Sequence, residues 1–363
     1  MQDPEFAWFL PTAGDLESFG KADTRRAATL PYLAEVGRAA EHAGFTSVLV
    51  PVGDACEDAW VVAGLVAGQT ERLKFLVAVR PGFVAPTVAA KMVATFDQLA
   101  PGRLLVNVVT GGFPAELAAD GDFTPHDERY ARTGEFLEVM RKYWTERQFD
   151  HEGQFYRVEG CRPFIKCTTE PHPPLYAGGA SDAAEDLFAR EIDCYLLWGE
   201  SMPQMQERIS RMKAKASANG RTLRLGVRMH VLARETEEDA REAAYAQVEG
   251  VPEATRERFR ATLMATDSAG ESRQRAFAMT DDDQWVEPNL WAGVGQVRRG
   301  VGVTVVGSYE QVARKFQAYT EMGLSYFILS GYPHLEEAET AGRTWLPRFW
   351  ELVRQRDASL AAG

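Results

Sequence analysis

The feature that most constrains the fold is an alternation of short apolar runs with helical patterns, repeated from one end of the chain to the other. Residues 7–10, 47–50, 73–80, 104–110, 174–178, 194–198, 223–233 and 325–330 read as strands. Residues 31–44, 58–69, 86–100, 130–145, 181–192, 203–218, 236–248, 308–322 and 335–354 carry apolar side chains at helical spacing. Within 130–145, for example, Phe136, Val139, Met140, Tyr143 and Trp144 form one stripe. Strands alternating with helices pair in parallel, and the helices cover the sheet. Eight such units in 363 residues predict an α/β fold, a closed (β/α)8 TIM barrel, as a single domain over 1–363. The alternative is an open doubly wound sheet. It usually carries G-x-G-x-x-G after its first strand, but here that strand runs into Pro11-Thr-Ala-Gly-Asp.

Two stretches interrupt the alternation. Residues 149–158 read as a hairpin inserted after the fourth helix. Residues 249–307 hold no clean unit, only Ala265-Thr-Asp-Ser-Ala-Gly-Glu and the acidic run Asp281, Asp282 and Asp283. An irregular segment of that length is uncommon in a compact domain, so it is expected to be an insertion that serves as a mobile lid.

Charge narrows the function. Lys+Arg 40 against Asp+Glu 52 leaves −12, which argues against a general nucleic-acid binder. An anion site must therefore be built from a few placed cations. No run approaches the ~20 apolar residues of a membrane span, and the N-terminus lacks the basic start of a secretory signal. Cys56, Cys161, Cys167 and Cys194 do not form a disulfide framework. A reduced, cytoplasmic protein is expected.

A barrel of this kind places its site at the C-terminal ends of its strands. The seventh strand reads Leu225-Gly-Val-Arg-Met-His-Val-Leu. Successive side chains point to opposite faces. If Leu225, Val227, Met229 and Val231 pack under the helices, Arg228 and His230 point into the mouth. An inward Arg needs an anionic partner, either an internal carboxylate or a ligand. Arg298-Arg299 lies in a glycine-rich stretch that suits a loop over a ligand, or else a solvated surface turn. Tyr332 and His334 follow the last strand, and Trp198 ends the sixth, where it lines a pocket or simply packs. Cys56 follows the second strand and has no partners that would make it a nucleophile. Gly178-Gly179-Ala180-Ser181 opens a helix after the fifth strand, where free N–H groups favour a phosphate. Thr110-Gly111-Gly112 is a similar opening, within reach of His126 and Tyr130. There is no H-x-H, no H-E-x-x-H, no G-x-S-x-G and no strand-end lysine. No metal is expected. The available side chains bind an anion and orient a cofactor, which then does the hard chemistry.

These residues fall within longer stretches: Trp8-Phe-Leu-Pro-Thr, Cys56-Glu-Asp-Ala-Trp, Val109-Thr-Gly, Glu128-Arg-Tyr, Pro174-Leu-Tyr-Ala-Gly-Gly, Leu197-Trp-Gly-Glu, Arg228-Met-His-Val, Thr266-Asp-Ser, Asn289-Leu-Trp-Ala-Gly-Val-Gly and Leu329-Ser-Gly-Tyr-Pro-His-Leu-Glu-Glu-Ala. In this order they resemble the alkanesulfonate monooxygenase family, within the bacterial-luciferase-like flavin barrels. The resemblance implies a two-component enzyme. A separate NAD(P)H-dependent flavin reductase supplies reduced FMN, O2 is co-substrate, and the C–S bond of an organosulfonate is cleaved to sulfite and a carbonyl compound. It implies active-site roles for Cys56, Trp198, Arg228, His230, Arg298 and Tyr332. Arg228 and Arg298 serve the sulfonate and the oxygenated cofactor; His230 and Tyr332 orient groups and move protons, with the base unassigned between them. His334 joins Trp198, Arg228, His230, Arg298 and Tyr332 as substrate-binding. Gly178, Gly179, Ala180 and Ser181 cradle the FMN phosphate with Tyr130, and Cys56 and Thr110 line the cofactor site. A homodimer or homotetramer is implied. Ala13 and Gly112 are smaller than the family's residues at those positions. This suggests a bulkier or more polar substrate, such as the sulfosugar sulfoquinovose.

Overall fold

A computed structural model describes residues 3–278 and 283–362 of the chain; Asp281 and Asp282 of the acidic run lie outside the described residues. β1 (Glu5–Phe9) leads through α1 (Leu30–Ala43) to β2 (Ser47–Val50). α2 (Ala59–Ala67), β3 (Lys74–Val79), α3 (Pro86–Leu99), β4 (Leu104–Val108), a short α4 (Pro114–Ala119) and α5 (His126–Thr145) follow. The hairpin of β5 (Phe149–Glu152) and β6 (Arg157–Cys161) precedes β7 (Leu175–Ala177), α6 (Asp182–Glu191), β8 (Cys194–Trp198), α7 (Met202–Ala218), β9 (Arg224–Arg234) and α8 (Glu237–Val248). Then come α9 (Glu253–Met264), α10 (Ala269–Ala278), β10 (Trp285–Glu287), β11 (Leu290–Trp291) and β12 (Thr304–Ser308). The chain ends with α11 (Tyr309–Glu321), β13 (Tyr326–Ser330), α12 (His334–Arg343) and α13 (Trp345–Ala362).

The parallel strands β1, β2, β3, β4, β7 and β8 run side by side. β9 joins β8 to β13, and β13 pairs with β1, which closes an eight-stranded barrel. These are the eight strands read from the sequence. Alternation along each strand divides the apolar side chains into two sets. Phe6, Trp8, Val227, Met229, Phe327 and Leu329 point outward into the layer under the helices. Ala7, Leu49, Leu76, Leu105, Tyr176, Leu196, Tyr326 and Ile328 fill the interior. Burying each large side chain contributes roughly 1.5–3 kcal/mol, and the filled interior leaves only the upper ends of the strands for chemistry.

The helices start and stop where local chemistry directs. Thr29 caps α1 by accepting the Tyr32 N–H, and Gly44 ends it at φ 96, a left-handed turn that suits glycine. Ser308 and Gln311 form the expected reciprocal cap on α11.

The structure departs from the sequence reading in several places. The segment 249–307 is not irregular throughout. It contains α9, α10, the β10–β11 excursion and β12, which pairs in parallel with the upper half of β9, Thr304 opposite His230. The signal was the run Val301-Gly-Val-Thr-Val-Val-Gly, a β-branched stretch bounded by glycine. α5 begins a turn earlier than expected, with Asp127 and Glu128 favourably placed at its N-terminus. The hairpin extends to Cys161. The last helix is two helices, α12 and α13, that break at Thr344. Apolar spacing runs straight through the break, from Ala341 to Trp345, and hid it. Gly342 is needed where α12 meets α1, since a Cβ there would stand 2.6 Å from the Ala43 Cα.

Candidate functional site

β9 carries the core of the site. Leu225, Val227, Met229 and Val231 pack outward, so Gly226, Arg228 and His230 face the barrel interior. Gly226 has no room for a side chain: a Cβ would lie 2.8 Å from the Tyr326 carbonyl oxygen and 2.9 Å from Leu196. Above it, the buried Arg228 donates to the Met229 carbonyl (2.6 Å) and to Ser330 Oγ (2.8 Å). No carboxylate lies within salt-bridge distance of Arg228 among the described residues. Burial, and then the like charge of Arg298, work against its protonated form. Arginine nevertheless stays charged in proteins.

His230 Nε2 donates to the Val301 carbonyl (3.0 Å). A neutral ring has one proton, so Nδ1 accepts from Ser330 Oγ (2.6 Å). This tautomer follows from the hydrogen-bond network. Burial, followed by the charges of Arg228 and Arg298, holds His230 well below its ordinary value, so the ring is neutral at physiological pH. Both ring nitrogens are engaged, and Ser330 links Arg228 to His230.

Arg298 and Arg299, adjacent in sequence, differ in partners. Arg299 binds Asp54 (2.5 Å), approaches Glu116 (3.5 Å) and lies over Phe113. Arg298 has no carboxylate partner among the described residues; it donates to the Arg299 carbonyl (3.2 Å) and lies over the Phe9 ring, 5.5 Å from its centroid. Arg228 lies over the same ring at 5.0 Å.

Beside them, the Tyr332 ring lies against His230 (5.5 Å), His334 (4.9 Å) and Phe19 (4.9 Å). Its hydroxyl has no hydrogen-bond partner among the described residues, and burial pushes its pKa up despite both arginines, so the hydroxyl keeps its proton. His334 Nδ1 is tied to Asp15 (2.7 Å), which also accepts from the His334 N–H and the Tyr32 hydroxyl. His334 Nε2 is buried without a partner among the described residues. The Thr12 hydroxyl is likewise buried, with the Cys56 thiol beside it and no other partner among the described residues; burial pushes the pKa of that thiol up. Trp198 stands in register with Arg228, beneath Gly270 of α10.

The segment after α9 covers this mouth. Thr266 Oγ1 (2.5 Å) and the Asp267 N–H (3.2 Å) both bond the Gly112 carbonyl, and Asp267 pairs with the buried Arg129 (2.7 Å). Gln274 on α10 donates to the Gly199 carbonyl (2.8 Å) and accepts from the Gly302 N–H (3.0 Å).

Across the mouth, Ser181 caps α6 by accepting the Ala184 N–H (3.3 Å). The Tyr130 hydroxyl lies beside Thr110 and Ser181, and burial pushes its pKa up. A Cβ on Gly179 would stand 2.6 Å from the Ala184 Cβ and 3.2 Å from that hydroxyl; one on Gly178 would meet the Leu196 carbonyl at 2.4 Å. His126 packs on Tyr130 and binds Asp127 (2.7 Å).

The structure thus gathers Arg228, His230, Arg298, Tyr332, His334, Trp198 and Cys56 at one end of the barrel, with Thr110, Tyr130 and Gly178–Ser181 on its rim. Sequence reasoning missed Phe9, Asp15, Ser330, Glu271 and Gln274. Phe9 and Ser330 were within reach, since each ends a barrel strand on the inward parity. Glu271 and Gln274 on α10 carry no sequence signal, because they lie away from the strand ends.

Solved structures of similar shape include EDTA monooxygenase from Chelativorans sp. BNC1 (18% identity over 96% of this chain and 94% of that one, TM-score 0.74). Long-chain alkane monooxygenase (17%, 97% and 92%, 0.79) and DmoA from Hyphomicrobium sulfonivorans (19%, 98% and 89%, 0.72) are also similar. At these identities the likeness shows the fold. The sequence itself matches the luciferase-like monooxygenase model over residues 4–326, and on that match the chain belongs to the luciferase-like monooxygenase family.

Proposed function

We propose that this enzyme is the oxygenase of a two-component system that uses FMN, reduced by a separate NAD(P)H-dependent flavin reductase, and O2 to cleave the C–S bond of an organosulfonate. One oxygen atom enters the carbonyl product, the other leaves as water, and sulfite is released. The observation that carries this reading is a pair of guanidinium groups, Arg228 buried and Arg298 half-buried, over one aromatic ring and without a carboxylate partner among the described residues. A protein tolerates such charges poorly unless something anionic comes to them. A monooxygenase of alkanes or sulfones has no use for two such cations.

The residues present fit a flavin mononucleotide. Thr12 Oγ1 and His334 Nε2 are buried polar atoms that lack a conventional partner among the described residues, as a polar heterocycle would require of its surroundings. The α6 N-terminus, with Ser181, Tyr130 and Thr110, suits the phosphate. Its acidic first turn does not oppose this, because Asp182 is exposed and Glu185 is neutralised by Arg211 and Lys215. When bound, reduced FMN supplies the electrons that activate O2. Around it, Arg228 and Arg298 hold the sulfonate oxygens. His230 fixes the Val301 carbonyl and, through Ser330, the Arg228 guanidinium. Its engaged nitrogens make it a positioning residue, and they leave the protonated Tyr332 hydroxyl to donate a proton at the reacting centre. The lid opens for substrate and closes to exclude water.

Within the sulfonates, a sulfosugar keeps only part of its motive. The space at Gly112 is taken by the lid, since a Cβ there would stand 2.8 Å from the Ser268 Cβ, and Ala13 is exposed. The homo-oligomer implied by the resemblance finds support in α2, whose apolar Val61 and Leu65 remain exposed. No helix among the described residues is long and apolar enough to cross a membrane. The test is sulfite release from short alkanesulfonates, sulfoquinovose and carboxylate analogues, with reductase, FMN, NADH and air. Sulfite from at least one sulfonate is expected; oxidation of carboxylates alone would overturn the assignment.

A further inference from the structure

Glu271 has no role in the scheme above. It lies on α10, the helix over the mouth, and is 4% exposed. Its Oε1 accepts the Gly300 N–H (3.0 Å), and its Oε2 is buried without a partner among the described residues. The charges acting on it come from Arg298 and Arg299 on the loop below. Other charged groups of the packed elements face elsewhere. Arg273 turns toward Glu200 (3.6 Å), which is already bound to Arg208 (2.8 Å). Arg275 binds the Leu263 carbonyl (3.0 Å), and Arg256 of α9 binds Gln296 and the Val248 carbonyl (2.7 Å). Arg299 already has Asp54 and Glu116. Arg298, which has no carboxylate partner among the described residues, is therefore the charge near Glu271 that a ligand can neutralise.

We infer that Glu271 couples anion binding to proton uptake: seating an anion on Arg228 and Arg298 drives a proton onto the Glu271 carboxyl. The inference rests on the anion-site reading of those two arginines. An ionised carboxylate with one oxygen unpaired is costly in a buried place, and the potential of Arg298 is what offsets that cost. An anion on Arg298 cancels the potential and adds repulsion, so the carboxyl takes a proton. Oε2 then changes from an acceptor, which repels an oxyanion, to a donor.

Burial holds the Glu271 carboxyl up, to about 7, so the exchange falls in the physiological range. With the free protein about half protonated at pH 7, uptake approaches ~0.5 proton there and about one near pH 8. The protonated form binds the anion better. Affinity therefore falls as pH rises above about 7, by up to ~10-fold per unit.

The experiment is calorimetric titration of the full chain with 1-pentanesulfonate, without flavin or reductase, at pH 7 and pH 8. Two sulfonate-free buffers of different ionisation enthalpy, bicine and Tris, give the proton count. Wild type is expected to take up close to one proton per anion at pH 8. Glu271→Gln keeps the Gly300 bond, and its thermal melt reports folding; it is expected to bind the anion with no uptake and a Kd that no longer changes with pH. Binding without uptake in wild type, or equal uptake in Glu271→Gln, overturns the inference and leaves the anion site standing. No binding by wild type removes both.

Discussion

Arg228 and Arg298, seventy residues apart in sequence, lie over the same aromatic ring, Phe9, at 5.0 and 5.5 Å from its centroid. One comes from a barrel strand and the other from the segment that closes the mouth. Neither has a carboxylate within salt-bridge distance among the described residues. Like charges over one ring, Arg228 buried and Arg298 half-buried, oppose folding, and the arrangement makes physical sense under the proposal that an anion joins them.

Arg228→Met should therefore separate stability from function. Replacing a buried, uncompensated charge with an apolar side chain of similar length is expected to leave thermal stability unchanged or to raise it by ~1–4 kcal/mol. Losing a charged contact to substrate should lower kcat/KM by roughly 30-fold or more, from a cost of ~2–5 kcal/mol. Melting curves and steady-state kinetics on one preparation check both.

Ser330 joins Arg228 to His230 by two hydrogen bonds, 2.8 and 2.6 Å. Ser330→Ala leaves a buried His230 acceptor unsatisfied and frees one edge of the guanidinium. A loss of ~1–3 kcal/mol in stability is expected, with kcat/KM reduced and Ser330→Thr restoring part of it. Urea unfolding and kinetics of the two variants measure this.

His230 also makes stability depend on pH. Its folded-state ionisation lies well below the ordinary histidine value, with burial the largest cause. Its contribution is therefore complete above an unfolded value of ~6.5 and is lost as pH falls below it, because the unfolded chain takes a proton that the folded chain refuses. The slope is up to ~1.4 kcal/mol per pH unit. Denaturant titrations between pH 7 and pH 5 should show a shallower acid loss in His230→Gln than in wild type.

The segment proposed as a lid is held by the Arg129–Asp267 ion pair and by the Thr266 bond to the Gly112 carbonyl. Asp267→Asn keeps the shape but removes the charge. Proteolysis within the segment 249–307 should accelerate several-fold, and a saturating anion should slow it again. Equal cleavage rates in wild type and variant would show that the ion pair does not hold the segment down.

Tyr130→Phe and Ser181→Ala remove hydroxyls from the rim proposed for the FMN phosphate. Each is expected to weaken binding of reduced FMN by about 2- to 13-fold, in line with ~0.5–1.5 kcal/mol per hydrogen bond. Anaerobic fluorescence titration measures it, with riboflavin, which lacks the phosphate, as the insensitive control.

Much of this architecture was legible in the amino-acid order. Alternation locates all eight barrel strands, and the parity of β9 places Arg228 and His230 inward from the amino-acid order alone, because a strand's period of two is rigid. The same parity would have singled out Phe9 and Ser330, had it been extended to β1 and β13. β12 was missed because it sits in a glycine-rich stretch without a helix before it. The split between Arg298 and Arg299 could not be read at all. Which of two adjacent arginines meets Asp54 depends on a fold that brings residues 245 positions apart together. Glu271 and Gln274 were hidden for a related reason: on a surface-like helix they look solvated, and only the docking of α10 buries them.

The most direct test of the paired cations is discrimination by charge. With reductase, FMN, NADH and O2 held constant, kcat/KM is measured for an alkanesulfonate and for the neutral methyl sulfone of the same chain length, in wild type and in Arg298→Met. Preference for the sulfonate by about 100-fold or more, falling by at least 10-fold in the variant, is the expected result, in line with the ~2–5 kcal/mol carried by a buried charge contact. Equal turnover of the charged and neutral compounds by wild type would contradict it.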